Sequence, residues 1–172
     1  GHVLTRRSQA DLRGIGNSSG IYAPSLHHHG GRFYVLYTIV SGDYFPHLAT
    51  PNYIVWADDI RGPWSDPVYI NSTGFDPALF FDEDGRCYYM NMLLDFHKEK
   101  VTGGITLQEF DPDAMETTSD PVLIFEGTMH GTEGPRIYKR NAWYYLVTAE
   151  GGTDWNHQVT VCRSRSLYGP YE

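Results

Sequence analysis

The 172-residue sequence contains only two cysteines, few basic side chains and no long apolar run. Cys87 and Cys162 are too few for a disulfide framework and lack the spacing of a metal site. Each lies in an apolar, strand-like run, so we expect two buried free thiols, with a disulfide between them as the alternative. No apolar run approaches the roughly 20 residues that a membrane-spanning helix needs, and we therefore expect no membrane partner.

Positive charge is also scarce, and this limits the kinds of partner that the protein can have. The chain has 13 lysines and arginines against 21 aspartates and glutamates, a formal net charge of -8. Such a charge argues against nucleic acid and anionic membranes, whose phosphate groups it repels. A neutral ligand such as a sugar is compatible with it.

Two triplets match the acceptor sequence for N-glycosylation, Asn17-Ser18-Ser19 and Asn71-Ser72-Thr73. Modification of either asparagine requires an exposed loop in a secreted protein. We therefore expect an extracellular location, with the cytoplasm as the alternative because such short triplets also arise by chance.

Helical periodicity is nearly absent from the sequence. The clearest candidate, between Leu107 and Met115, is interrupted by Asp111-Pro112. Aromatic residues make up 15% of the chain, and aromatic and β-branched side chains suit strands. The sequence therefore predicts an all-β fold with an aromatic core.

A pattern recurs three times along the chain, at Pro24, Pro77 and Pro135. These prolines are 53 and 58 residues apart, and each precedes an apolar strand, a turn with Gly or Asn, and a Tyr-rich strand. A period near 50 residues, with about four short strands in each unit, is typical of the blades of a β-propeller.

The repeat divides the chain into an end of a preceding blade with its loop, 1–20, and three blades, 21–74, 75–130 and 131–172. Propellers close with at least four blades, so we expect about three blades of an incomplete ring. An open ring exposes strand edges and apolar blade faces, which predicts self-association through those edges.

The innermost strand of each blade lines the central channel of a propeller, so the matched strand openings should converge there. The openings are Tyr22-Ala23-Pro24, Phe75-Asp76-Pro77 and Glu133-Gly134-Pro135, and two of them carry a carboxylate. Paired carboxylates perform glycoside hydrolysis, and a second charge nearby would raise the pKa of Glu133 and keep it protonated. The alternatives are a turn-forming Asp76 and a solvated loop glutamate.

Four motifs occur in a fixed order: GIYAP at 20–24, FDPALFFDEDG at 75–85, TEGPRIYK at 132–139 and AEGGT at 149–153. Together they resemble glycoside hydrolase family 43, the five-bladed propeller β-xylosidases and α-L-arabinofuranosidases. The resemblance extends over essentially the whole chain, and the xylosidase-like branch fits best.

This resemblance implies an inverting mechanism that uses three carboxylates. Glu133 matches the general acid, and Asp76 matches the aspartate that orients this acid and tunes its pKa. The general base belongs to an Asp-Pro motif upstream of Gly1, so the resemblance predicts that it is missing from this chain. Asp11 and Asp43 do not lie in such a motif and are not assigned to the role.

The resemblance also implies two substrate-binding residues. Tyr22 occupies a position where family members usually carry a sugar-pocket Trp, and Thr153 matches a residue on the leaving-group side. His157, four residues after Thr153, is a further candidate for a polar contact with the substrate, and no cofactor is expected. The fifth blade, with its substrate-binding arginine, is expected beyond Glu172. No metal is expected, because the run 27–29 offers at most two histidines on one face, and it is interpreted as a surface-facing strand end.

Two functions follow from these observations. The first is a glycoside hydrolase that cleaves terminal xylose or arabinose from xylan-type oligosaccharides by inversion. The alternative is a non-hydrolytic, carbohydrate-binding propeller fragment, since the base is not in the chain. Both take an oligosaccharide as partner.

Overall fold

The computed structural model describes residues 1–42, 47–97 and 101–172, and within them it has only β-strands as regular elements. Asp43 lies outside the described residues. No helix in the described ranges is long and apolar enough to cross a membrane. The strands are β1 (Gly20–His29), β2 (Arg32–Val40), β3 (Asn52–Ala57), β4 (Val68–Asn71), β5 (Ala78–Phe81), β6 (Cys87–Leu94), β7 (Thr102–Asp111), β8 (Glu116–Thr117), β9 (Val122–Phe125), β10 (Glu133–Arg140), β11 (Trp143–Glu150) and β12 (Gln158–Ser164).

The strands form three antiparallel sheets that follow one another along the chain. The first sheet has the order β1-β2-β3-β4, and the third has the order β10-β11-β12. The second sheet has the order β5-β6-β7-β8, and β9 also pairs with β7. The first and third sheets are meanders of consecutive strands, and the second departs from that order only at β9. This confirms the prediction of an all-β chain built from successive blade-like units.

Two of the inner hairpins close with two-residue turns. Gly30 and Gly31 join β1 to β2 with φ values of 58° and 83°, and Asn141 and Ala142 join β10 to β11 with values of 51° and 60°. Two consecutive positive φ angles define the type I′ turn, whose twist matches that of the flanking strands. Glycine and asparagine adopt this conformation readily, whereas Ala142 is strained in it.

The inner strand of each sheet begins with the same irregularity. Ala23, Asp76 and Gly134 have φ values of 31°, 59° and 62°, and each directly precedes a proline. The strand register shifts at this point in β1, between Tyr22 and Ser25, and correspondingly in β10. Such a bulge turns a side chain toward a new direction, and its proline lacks the N–H that regular pairing would use.

The second sheet is covered on both faces, because alternate residues of its strands point in opposite directions. Phe80 packs with the third sheet, in a cluster that includes Leu146 and Cys162, whereas Leu79 packs with the first sheet in a cluster that includes Cys87. Both cysteines are buried free thiols, as predicted. Cys87 points from the second sheet toward the first, whereas Cys162 lies in the third sheet and packs against the opposite face of the second. The two thiols are therefore separated by the second sheet and form no disulfide with each other.

Polar contacts join neighbouring sheets beside these apolar clusters. The Lys139 ammonium lies 2.6 Å from Asp82 Oδ1, and the Tyr144 hydroxyl donates to Asp82 Oδ2 at 2.7 Å. Asp82 is buried between the second and third sheets, so this pair of contacts fixes their spacing.

His27 joins the first sheet to the second, which corrects the interpretation of 27–29 as a surface-facing strand end at this one residue, whereas His28 and His29 are exposed at the end of β1. Its Nε2 accepts a hydrogen bond from the Leu79 N–H at 3.2 Å. Burial, and secondarily the charge of Arg136, lowers the pKa of His27 to about 4. The imidazole is therefore neutral near pH 7 and acts as an acceptor between two sheets, which the local sequence did not indicate.

Candidate active site

The openings of the three inner strands meet at one cleft with a volume of about 840 Å³. Its wall receives residues from all three sheets, which is the convergence that the repeat predicted. Tyr22, Asp76, Glu133 and Thr153 all line this cleft. The residues that line it are Asn17, Ser18, Ser19, Ile21, Tyr22, Ala23, Val40, Gly42, Leu48, Phe75, Asp76, Thr102, Gly131, Glu133, Gly152 and Thr153.

A second cavity, of about 650 Å³, lies on the outer face of the first sheet. It is mainly apolar, with Leu4, Leu26 and Trp64 in its wall, and its described lining contains no carboxylate. Of these two cavities, the cleft at the strand openings is the one whose described lining contains carboxylates, Asp76 and Glu133.

Asp76 is buried and makes a specific contact with the segment that carries Glu133. Its Oδ2 accepts a hydrogen bond from the Gly134 N–H at 2.9 Å, which joins the second sheet to the third. Burial, followed by the negative charge of Glu133, raises the pKa of Asp76 to about 6. The Gly134 N–H and Arg136 act in the opposite direction.

Glu133 is half-buried in the cleft wall, and its pKa is raised by burial, while the charge of His157 opposes that change. The sequence predicted that repulsion between the two carboxylates would raise the pKa of Glu133. In the structure this repulsion contributes instead to the raised pKa of Asp76. Burial therefore raises the pKa of both carboxyls, and the charge of Glu133 adds to the change at Asp76. Such a pair retains a proton closer to neutral pH than a free carboxyl does.

The three predicted substrate-binding residues have different positions relative to the cleft. Tyr22 is held in the wall by a hydrogen bond from its hydroxyl to the Ser18 carbonyl at 2.5 Å and by an edge contact with Phe75. Thr153 is an exposed residue of the wall. His157 is not among the lining residues; its Nδ1 lies 2.6 Å from the Gly152 carbonyl oxygen, so it supports the turn that presents Thr153.

Sequence reasoning did not predict the other residues of the wall as site residues, among them Phe75 and Thr102. Phe75 directly precedes Asp76 in the second of the repeated strand openings, so the register of the repeat could have identified it. Thr102 accepts a hydrogen bond from the Gly131 N–H at 3.2 Å, and no pattern in the sequence indicates that contact.

The sequence model of glycosyl hydrolases family 43 matches residues 1–172, the whole of the chain. The chain belongs to this family. Among its curated relatives, xylosidase/arabinosidase 43B of Humicola insolens is 53% identical over 98% of the chain and 32% of that protein. Xylan 1,3-beta-xylosidase of a Vibrio species is 49% identical over 100% of the chain and 33% of that protein.

Solved structures of the family share the fold. The crystal structure of xylan beta-1,4-xylosidase from Bacillus halodurans C-125 superposes with a TM-score of 0.96 at 46% identity, and the match covers 100% of this chain and 33% of that one. The chain thus spans about a third of the length of the curated relatives and solved structures that it matches. Its three sheets are blades of the family's five-bladed propeller, here an incomplete ring.

Proposed function

We propose that this chain carries the acid half of a glycoside hydrolase site that releases terminal xylose or arabinose from xylan-type oligosaccharides. The observation that carries the proposal is the hydrogen bond from the Gly134 N–H to Asp76, which places two carboxyls with raised pKa values in one cleft. The names of the relatives, xylosidases and arabinosidases, support the class of substrate. A neutral oligosaccharide also suits a chain with a net charge of -8.

Glu133 is the general acid in this proposal, and it donates its proton to the oxygen of the leaving sugar. Asp76 orients the segment that carries Glu133 by accepting the hydrogen bond from the Gly134 N–H, and burial keeps the pKa of Glu133 high. In an inverting reaction a further carboxylate removes a proton from the attacking water on the opposite face of the sugar. We assign that general base to a residue outside 1–172.

The remaining residues of the site contact the substrate or support those contacts. We propose that Tyr22 packs its ring against the bound sugar and that Thr153 contacts the leaving-group side. His157 acts in this scheme by holding the turn at Gly152 and by moderating the pKa of Glu133 through its charge.

Turnover of an aryl β-xyloside and an aryl α-L-arabinofuranoside, each with a weakly acidic phenol that needs protonation to leave, tests the assignment of the acid. Replacement of Glu133 by Gln should lower turnover by about 100-fold or more, because general acid catalysis contributes on that order. The loss should be smaller for an aryl group that leaves without protonation. Unchanged turnover of both glycosides in this variant would refute the assignment.

A carbohydrate-binding function without hydrolysis is the alternative, and the composition of the cleft wall favours it for the isolated chain. Asp76 and Glu133 are the only carboxylates among the described lining residues. Azide separates the two functions, because it attacks a sugar without needing a general base. Azide-dependent turnover that requires Glu133 supports an acid half-site, whereas xylo-oligosaccharide binding with no turnover in azide supports the alternative.

Two further predictions concern the surroundings of the protein. Of the two glycosylation triplets, the one at Asn17 is exposed, whereas Asn71 Oδ1 accepts a hydrogen bond from Asn52 at 2.8 Å. We propose an extracellular location with Asn17 as the accessible acceptor.

We also propose self-association at the open edge of the third sheet, where Val159 and Val161 are 68% and 60% exposed.

A further inference from the structure

Glu150, the last residue of β11, is fully buried and accepts four hydrogen bonds. Its oxygens receive them from the N–H and hydroxyl of Thr128 and from the hydroxyls of Thr132 and Thr160. The distances are 2.8 Å for Thr128 N to Oε1, 2.5 Å for Thr128 Oγ1 to Oε2, 2.7 Å for Thr132 Oγ1 to Oε1 and 2.5 Å for Thr160 Oγ1 to Oε2. The charge of a buried carboxylate is thus compensated by hydrogen-bond donors on separate parts of the chain.

These hydrogen bonds join the two segments that form one side of the cleft. Thr128 and Thr132 belong to the segment between β9 and β10, and Thr132 directly precedes Glu133. Glu150 itself leads into the turn 151–153, which presents Thr153 to the cleft.

The packing around this junction is close at Gly127. A Cβ atom at Gly127 would lie 1.8 Å from Thr132 Oγ1 and 2.7 Å from Glu150 Oε1. The Gly151 N–H donates to the His130 carbonyl at 2.8 Å, so the backbones of the two segments are also joined directly. The hydroxyl network is consequently held from several directions at once.

Glu150 does not itself reach the cleft. Glu133 pairs with Ala149 across the β10–β11 ladder, and cross-strand partners share a face of the sheet. Successive residues of a strand point to opposite faces, so Glu150 projects away from the face of Ala149 and Glu133. It is absent from the described lining of the cleft, and any effect on chemistry must act through its neighbours.

We propose that Glu150 is a positioning residue that holds Glu133 and Thr153 in a fixed relation by joining the two segments that carry them. The proposal rests on the function assigned to Glu133, and it adds a buried anchor behind the acid. Burial alone would raise the pKa of Glu150, but the threonine hydrogen bonds outweigh it and lower the pKa to about 2. The anchor therefore stays ionised at every pH at which the site would operate.

Titration of the Glu133 carboxyl by carbon-13 NMR tests the proposal without requiring turnover. The variants are Glu150→Gln and Thr160→Val; the second removes one hydrogen bond from Oε2 and leaves three in place. Loosening the anchor should admit water to Glu133 and shift its pKa downward, by about half a unit or more in Glu150→Gln and by less in Thr160→Val.

The structure supplies a matched control for each variant. Thr148 pairs with Thr160 across the β11–β12 ladder, and its buried hydroxyl has no hydrogen-bond partner in the described structure. Thr148→Val is therefore the same substitution on the same face without loss of a contact to Glu150. Asp82→Asn removes a different buried carboxylate between the second and third sheets and controls for general destabilisation.

Turnover gives a second readout that a purely structural role would not change. Displacement of Glu133 should slow hydrolysis of xylobiose, which needs protonation of its leaving group, by about 10-fold or more. Hydrolysis of a dinitrophenyl xyloside should fall by less than about 3-fold, because this leaving group departs without protonation. Asp82→Asn should leave the ratio of the two rates unchanged.

The outcomes separate this proposal from the proposed function. A Glu133 titration and a rate ratio equal to wild type in both anchor variants would overturn the role of Glu150. If the wild-type protein cleaves neither the xylosides nor the aryl α-L-arabinofuranoside, with or without azide, the proposed function fails. In that case the NMR titration alone decides whether Glu150 positions Glu133. A downward shift of equal size in Thr148→Val would also overturn the proposal.

Discussion

Replacing Asp76 by Asn should stabilise the fold near neutral pH while it weakens the proposed chemistry. Burial and the charge of Glu133 raise the pKa of Asp76 from 3.8 to about 6 in the folded chain. A carboxyl whose pKa is higher in the folded state resists ionisation there. The free energy of unfolding therefore falls as the pH rises from 3.8, the pKa of the unfolded chain, to about 6. Above about pH 6 the whole of this loss in stability is present.

The size of this effect follows from the shift. Each unit of pKa corresponds to about 1.4 kcal/mol, so ionised Asp76 costs up to about 3 kcal/mol above about pH 6. Asn has nearly the same shape, tolerates the φ of 59° as Asp does, and keeps an oxygen that can accept from the Gly134 N–H. We expect Asp76→Asn to gain about 1–3 kcal/mol at about pH 7.5 and less than about 1 kcal/mol at about pH 4.

Urea denaturation followed by tryptophan fluorescence at both pH values measures this gain. Asp120→Asn removes a charge from an exposed position and serves as the control, with an expected change within about 0.5 kcal/mol. A variant Asp76→Asn that is less stable than wild type at the higher pH would refute the role of ionisation. A gain that is as large at the lower pH would refute it too, because a pH-independent gain cannot come from ionisation.

Three further predictions concern stability. Ala142→Gly should raise the unfolding free energy by about 0.5–1 kcal/mol, because glycine relieves the positive φ of 60° in the turn that follows Asn141; thermal unfolding measures it. Asp82→Asn should lower the free energy of unfolding by about 1–2 kcal/mol, because it weakens the hydrogen bond from Lys139. Urea denaturation measures this loss, and an unchanged midpoint would contradict the prediction. The pKa of Glu150 is depressed from 4.5 to about 2, so the ionised carboxylate adds about 2–3 kcal/mol to the free energy of unfolding above pH 4.5, and this stabilisation is lost as the pH falls toward 2. Glu150→Gln should therefore reduce the fall in the free energy of unfolding between pH 4.5 and 2, measured by urea denaturation at several pH values.

The cleft itself was largely predictable because its residues belong to a repeated local pattern. The proline of each repeat marks the start of an inner strand, and inner strands of successive blades converge. The repeat alone therefore placed Tyr22, Asp76 and Glu133 together. It could not place His157, because the support that this residue gives to the turn at Gly152 depends on how one loop folds back.

The sequence by itself determined the elements whose causes are local. Turn residues such as Gly30 and Gly31 determine where the hairpins close, and the alternation of successive side chains along a strand determines which face of the sheet each one occupies. The recurring prolines mark where each blade begins. Tertiary structure decided the properties that depend on distant neighbours. The hydrogen bond from Gly134 to Asp76, the raised pKa values of the carboxyl pair, and the threonine anchor at Glu150 all join segments that are far apart in the chain. Burial and hydrogen bonding set the protonation of a carboxyl, and both exist only after the sheets have packed.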